Sequence, residues 1–130
     1  MKPMFLFDTF EAGMPIGSRT LVLGRELLEQ WLTLFPADRD GERMPPGMMA
    51  AVYSRAYSDI LQPRPPGNVH GQQVFTVSQM PVVGDTLVTD LRCEGKELKG
   101  ERRWVRFASD TRRADGVLMF SGQMTTLWAK

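Results

Sequence analysis

Apolar positions recur at helical spacing in the first half of the chain and alternate with polar ones in the second. Over Arg25–Phe35, Leu27, Leu28, Trp31, Leu34 and Phe35 fall on one face, and Pro36 ends the pattern, which predicts an amphipathic helix. The stretch Met44–Leu61 is more apolar still. Met48, Met49, Val52, Tyr53, Ala56, Tyr57 and Ile60 form a wide stripe, and only Ser54, Arg55, Ser58 and Asp59 supply a polar side. A stripe that wide predicts a helix largely surrounded by protein. Pro45 or Pro46 stands in its first turn, where a missing N–H costs nothing, and the run QPRPPGN stops it. Ahead of these helices, Phe5–Phe7 reads as a short strand, Glu11–Ser18 as a loop broken by Gly13, Pro15 and Gly17, and Ser18–Leu23 as a second strand. The segment PADRDGER between the helices reads as a polar loop.

Beyond Asn68 the pattern is that of antiparallel sheet. Gln72–Met80 is a strand candidate, broken by Pro81 and Gly84. Asp85–Glu94 alternates cleanly, with Leu87, Thr89, Leu91 and Cys93 on one face and Val88, Asp90, Arg92 and Glu94 on the other. GKELKG is a turn or a continuation of that strand. Arg102–Asp110 sets Val105 and Phe107 against Trp104, Arg106 and Ala108, TRRADG is a turn, and Val117–Ala129 is long enough to cross a whole sheet. One apolar helix followed by long antiparallel strands predicts an α+β domain in which a curved antiparallel sheet wraps a long central helix, the arrangement of the hot-dog fold. The length of 130 residues fits a single such domain over residues 1–130. A lone sheet of this kind leaves an edge strand to be managed, and members of that fold normally pair two sheets edge to edge, which implies a homodimer or a higher even oligomer.

A net charge of +1 argues against a nucleic-acid partner gripped through many phosphates. The single cysteine, Cys93, cannot form an internal disulfide, which fits a reducing compartment and a cytoplasmic protein. No run approaches the roughly 18 apolar residues of a membrane span, and the apolar N-terminus is interrupted by Asp8, unlike a signal peptide.

Several segments resemble the MaoC-like acyl dehydratases, the family of the (R)-specific enoyl-CoA hydratases. FDTFEAGMPIGSRTLVLGRELLEQWLTLF resembles the family's opening strand, loop, strand and helix. PPGMMAAVYSRAYSDIL is similar to its central helix, which opens with glycine and methionine. FTVSQMPVVGDTLVTDLRC, with Pro81, Gly84 and Asp85, resembles its strand, proline, glycine-aspartate, strand passage. The likeness spans nearly the whole chain. It implies the hot-dog fold and a CoA or acyl-carrier thioester as substrate, with no separate cofactor. The hydratase members of the family carry Asp-x-Asn-Pro-x-His before the central helix. This chain has FPADRDGERMPPG there, with Asp38 and Asp40 but no histidine, and Pro46 where a histidine usually precedes the helix glycine. The resemblance therefore implies the fold more strongly than the hydration chemistry.

Gly47 is the first candidate for chemistry. A helix N-terminus offers N–H groups without internal partners and a partial positive charge, and glycine lets a ligand approach the backbone. In the resembling family this position holds the thioester carbonyl; the alternative is that Gly47 permits tight packing after two prolines. Pro46, Gly47, Met48, Met49 and Tyr53 are accordingly the candidate substrate-binding residues, with methionine suited to an adaptable apolar wall. The same apolar residues are also, and more ordinarily, the material of a core.

Asp38 and Asp40 are the candidate general acid and base, or simply solvated charges of a polar loop. His70, the single histidine, is the third catalytic candidate. With one histidine and one cysteine, no metal site is expected. Three functions stay open: an enoyl-thioester hydratase or dehydratase, a hot-dog acyl-CoA thioesterase, and a non-catalytic acyl-binding subunit of a heteromeric hydratase.

Overall fold

The computed structural model describes residues 3–129. The main elements run β1 (Pro15–Val22), α1 (Arg25–Leu34), α2 (Met48–Ile60), β2 (Val69–Val77), β3 (Thr86–Lys99), β4 (Arg102–Arg113) and β5 (Leu118–Trp128), with short 3₁₀ turns at Phe7–Thr9 and Pro36–Asp38. The strands form one sheet in the order β1-β3-β4-β5-β2, every neighbour antiparallel. Register shifts lie between Cys93 and Gly95, between His70 and Gln72, and between Thr111 and Arg112. Bulges of this kind bend a strand and raise its twist, and here they accompany long strands that curve about α2.

The alternation in β3 is realised as read: Leu87, Thr89, Leu91 and Cys93 are buried while Asp90, Arg92 and Glu94 are exposed. GKELKG continues β3 rather than turning, and pairs with the start of β4 as far as Lys99 opposite Arg102. Helix α2 begins at Met48, four residues later than the apolar run suggests. Met44 is held outside it, its N–H donating to the Pro81 carbonyl at 2.8 Å. Its 13 residues span about 20 Å. Met48, Met49, Val52, Tyr53 and Ala56 are buried against the sheet and α1, whereas Ser54 and Arg55 lie on an exposed side.

Two expectations fail locally. Phe5–Phe7 is not a strand: Phe5 N–H donates to the Pro63 carbonyl at 2.9 Å and the Trp128 indole N–H donates to the Phe5 carbonyl at 3.0 Å, so the segment crosses the end of α2 and its polar groups are satisfied without a strand partner. The loop before β1 is also shorter, because pairing with β3 begins at Pro15.

The core divides along α2. Around its start, Leu23, Leu28, Leu32, Met44, Met48, Met49, Val52, Leu87, Met119 and Phe120 pack together. Around its end, the aromatic residues dominate: Phe10, Tyr53, Phe107 and Trp128 join Leu61, Leu91, Cys93, Val105 and Met124. No helix among the described residues is long and apolar enough to cross a membrane.

Candidate functional site at the start of the central helix

The approach to α2 is tied down from the sheet side. Arg43 bridges Val82, Val83 N–H donates to the Glu42 carbonyl at 2.8 Å, and Met44 N–H to Pro81. The Pro81–Asp85 turn is itself fixed by the Asp85 carboxylate, which accepts the Val82 N–H at 2.9 Å, and by Gly84 at φ 99°, a left-handed conformation suited to glycine. The proline and glycine-aspartate passage noted in the sequence therefore anchors the mouth of the helix.

At that mouth Gly47 is the N-cap and no side chain caps the helix. The N–H groups of Met48, Met49 and Ala50 turn back to the carbonyls of Pro45, Pro46 and Gly47 at 3.0, 3.1 and 3.3 Å. The Gly47 N–H donates to no backbone carbonyl or side chain among the described residues, and Gly47 is exposed. Its other side is closed by Trp31: a Cβ at this position would come within 2.9 Å of Trp31 Cζ2. Packing against the indole demands glycine here, and the Gly47 N–H stands without an internal acceptor at the first turn of the helix, the positive end of its dipole.

Trp31 is held in turn. Its indole N–H donates to Asp38 Oδ2 at 2.9 Å, and its ring lies 4.8 Å from that of Phe35. Asp38 therefore serves the indole. Asp40 forms an exposed ion pair with Arg43 at 3.8 Å. The two carboxylates are not brought together.

An apolar cleft of about 230 Å³ adjoins Trp31, lined also by Leu21, Leu27, Leu34, Met48 and Val52, with Gln30 and Arg55 at its polar edge. The cleft explains α1. Leu28 and Leu32 go to the core, while Leu27, Trp31 and Leu34, spaced at i, i+4 and i+7, form the cleft wall. Leu34 is accordingly 73% exposed and Phe35 48%, where the sequence alone places both on a buried face. Met48 lines the cleft and Met49 is buried behind it. Pro46 is exposed beside Gly47.

His70 and Tyr53 lie elsewhere, in a cavity of about 260 Å³ on the other flank of α2. Tyr53 is buried, and that burial, with Tyr57 beside it, holds its phenol far above the ordinary value. Tyr57 is also raised by burial, against the lowering effect of Arg64. Cys93 is buried and its thiol is pushed up, mainly by loss of water, so it is a poor nucleophile. Among the described residues no group of three or more metal-ligating side chains is gathered.

No family model matches the chain, and no curated protein matches it. Solved structures do. The MaoC-like dehydratase of Rhodospirillum rubrum superposes with a TM-score of 0.80 at 13% identity, over 97% of this chain and 98% of that one. The unliganded (R)-hydratase PhaJ1 of Pseudomonas aeruginosa gives 0.74 at 18% identity, over 96% and 86%. This chain has the hot-dog fold. A 1,4-dihydroxy-2-naphthoyl-CoA thioesterase from Synechocystis shares the hot-dog architecture at 0.63 and 11% identity, over 85% and 79%. At these identities the hot-dog likeness is one of fold, and function has to be argued from the site.

Sequence reasoning missed Trp31 as a site residue. Its signal was present in the 27/31/34 spacing, a second apolar line on α1 beside the core line of Leu28 and Leu32. It also missed Arg64 and Asn68, which stand close before His70 in the run QPRPPGNVH and line the same cavity, and Thr126, which reaches it from β5 and leaves no local pattern.

Proposed function

We propose that the protein binds acyl thioesters, of CoA or of an acyl carrier, in the manner of a hydratase or dehydratase. The thioester oxygen accepts the Gly47 N–H at the start of α2, and the acyl group lies toward the apolar cleft of Leu27, Trp31 and Met48. The observation that carries this reading is the Gly47 N–H without an internal acceptor, on an exposed residue packed against Trp31, which lines that cleft. A donor fixed at a helix N-terminus stabilises the charge that develops on a thioester oxygen as the α carbon gains or loses a proton. The fold supports it by analogy, since MaoC-like dehydratases, (R)-hydratases and a CoA thioesterase share it.

A second reading is favoured by one specific observation. Asp38 is engaged by Trp31 and Asp40 by Arg43, and no histidine accompanies them, so the mouth lacks a ready proton-transfer pair. The protein then acts as the acyl-binding subunit beside a catalytic partner; the HadBC and ChsH1-ChsH2 complexes of Mycobacterium tuberculosis are two-component assemblies that match this fold.

Crotonyl-CoA tests both. At about a hundred times its Kd it is expected to raise Tm by about 5–10 °C. Loss of enoyl absorbance without thiol release identifies a hydratase, thiol release identifies a thioesterase, and stabilisation without either identifies the binding subunit. No stabilisation and no turnover would reject the thioester site.

We also propose a homodimer through β2. This strand ends the sheet, and Val69, Val74 and Val77 along it are exposed. A two-fold pairing of β2 with its copy continues the sheet and removes an open edge. Light scattering is expected to give twice 14.7 kDa; a monomer at micromolar concentration would contradict it.

A further inference from the structure

The second cavity, on the flank of α2 away from the cleft, is unused by the function proposed above. It lies between the later turns of α2 and the start of β2 and end of β5. Its walls hold polar atoms that the fold leaves without partners. Tyr53 and Thr126 are each 2% exposed, and both hydroxyls are buried without a hydrogen-bond partner among the described residues. Asn68 accepts the Ala129 N–H on Oδ1 at 2.7 Å, which fixes the amide and leaves its buried Nδ2 without an acceptor. Buried polar groups in folded proteins are normally satisfied, and each exception calls for a cause. Three such atoms, all on residues that line one cavity, point to a shared cause.

The charge of the cavity narrows it. Arg64 lines the wall, steadied by Nη1 donating to the Leu61 carbonyl at 3.0 Å and by its guanidinium lying 5.2 Å over the Tyr57 ring. No aspartate or glutamate lines the cavity. One guanidinium, the His70 ring, the Asn68 amide N–H and the Tyr53 and Thr126 hydroxyls suit a single negative charge with several acceptor lone pairs, while Met124 and the tyrosine rings suit a short apolar body. A phosphate, with more charge, would call for more than one guanidinium already partly engaged. We propose that this cavity is a second ligand site that takes a small carboxylate, held by Tyr53, Arg64, Asn68 and Thr126.

The site is independent of the thioester mouth. Met48, Val52 and Arg55 of α2 face the cleft, whereas Tyr53, Tyr57 and Ser58 face this cavity. The carboxylate site can therefore fail while the Gly47 site stands, and the reverse.

The test titrates the full chain with butyrate and with its neutral amide, butyramide, following the Asn68 side-chain amide and the Thr126 backbone by NMR. Butyrate is expected to shift both signals and to bind about tenfold more tightly than butyramide. Thr126→Val keeps the shape of the strand residue and removes an unpartnered hydroxyl. It is expected to weaken butyrate about tenfold while Tm stays level or rises. Asn68→Asp keeps the acceptor for Ala129 N–H and places a like charge in the cavity; it is expected to abolish butyrate binding. Equal affinity for the two compounds, absence of shifts at tens of millimolar, or butyrate binding untouched by both substitutions would overturn the proposal.

Discussion

Gly47→Val is expected to lower affinity for crotonyl-CoA about a hundredfold or more while the protein stays folded. Two effects act together. The new Cβ enters the space of the Trp31 indole, 2.9 Å from Cζ2, and the branched side chain shields the N–H that a thioester oxygen needs. A hydrogen bond of this kind is worth about 0.5–1.5 kcal/mol, and the branched side chain standing in the ligand's path supplies the rest of the loss. The packing cost is about 1–3 kcal/mol, as for other overpacked sites, because the ring can tilt once its bond to Asp38 is strained. Titration calorimetry measures the first quantity and urea unfolding the second. Undiminished crotonyl-CoA binding in this variant would remove the helix mouth from consideration.

Phe107→Ala is expected to be the most damaging core substitution for stability, by about 3–5 kcal/mol. The ring is fully buried. It meets Phe10 at 5.4 Å and Tyr57 at 5.8 Å edge to face, and Trp128 at 5.8 Å. Such pairs add to the area they bury. With single domains stable by about 5–15 kcal/mol, this variant should unfold at a much lower urea concentration with an unchanged slope. A loss below about 1 kcal/mol would mean that the aromatic cluster relaxes around the hole and does not hold the end of α2.

The parts of this fold that show in the sequence are those set by local periodicity. The 48/49/52/53/56 stripe gave α2, and strict alternation gave β3, because burial on one side leaves a repeating mark whatever the partner. The start of α2 was less legible: the apolar run includes Met44, which is buried by bonding to Pro81 rather than by helix formation. Phe5–Phe7 carries no period at all, and its conformation depends on Pro63 and Trp128, which are distant in sequence. The site divides in the same way. Gly47 stands out because two prolines and a methionine-rich helix bracket it. Asp38 reads as an acid in a polar loop, and only the turn after α1 brings it to the Trp31 indole. His70 reads as a lone histidine at a strand start, with nothing local to join it to Tyr53 or Thr126.

The proposed thioester site rests on one backbone amide. Amide NMR of the protein titrated with crotonyl-CoA follows it directly. The Gly47 amide proton is predicted to move downfield on binding, by more than those of Met48, Met49 and Ala50, whose N–H groups already have acceptors. Saturable binding that leaves the Gly47 signal in place would contradict the account.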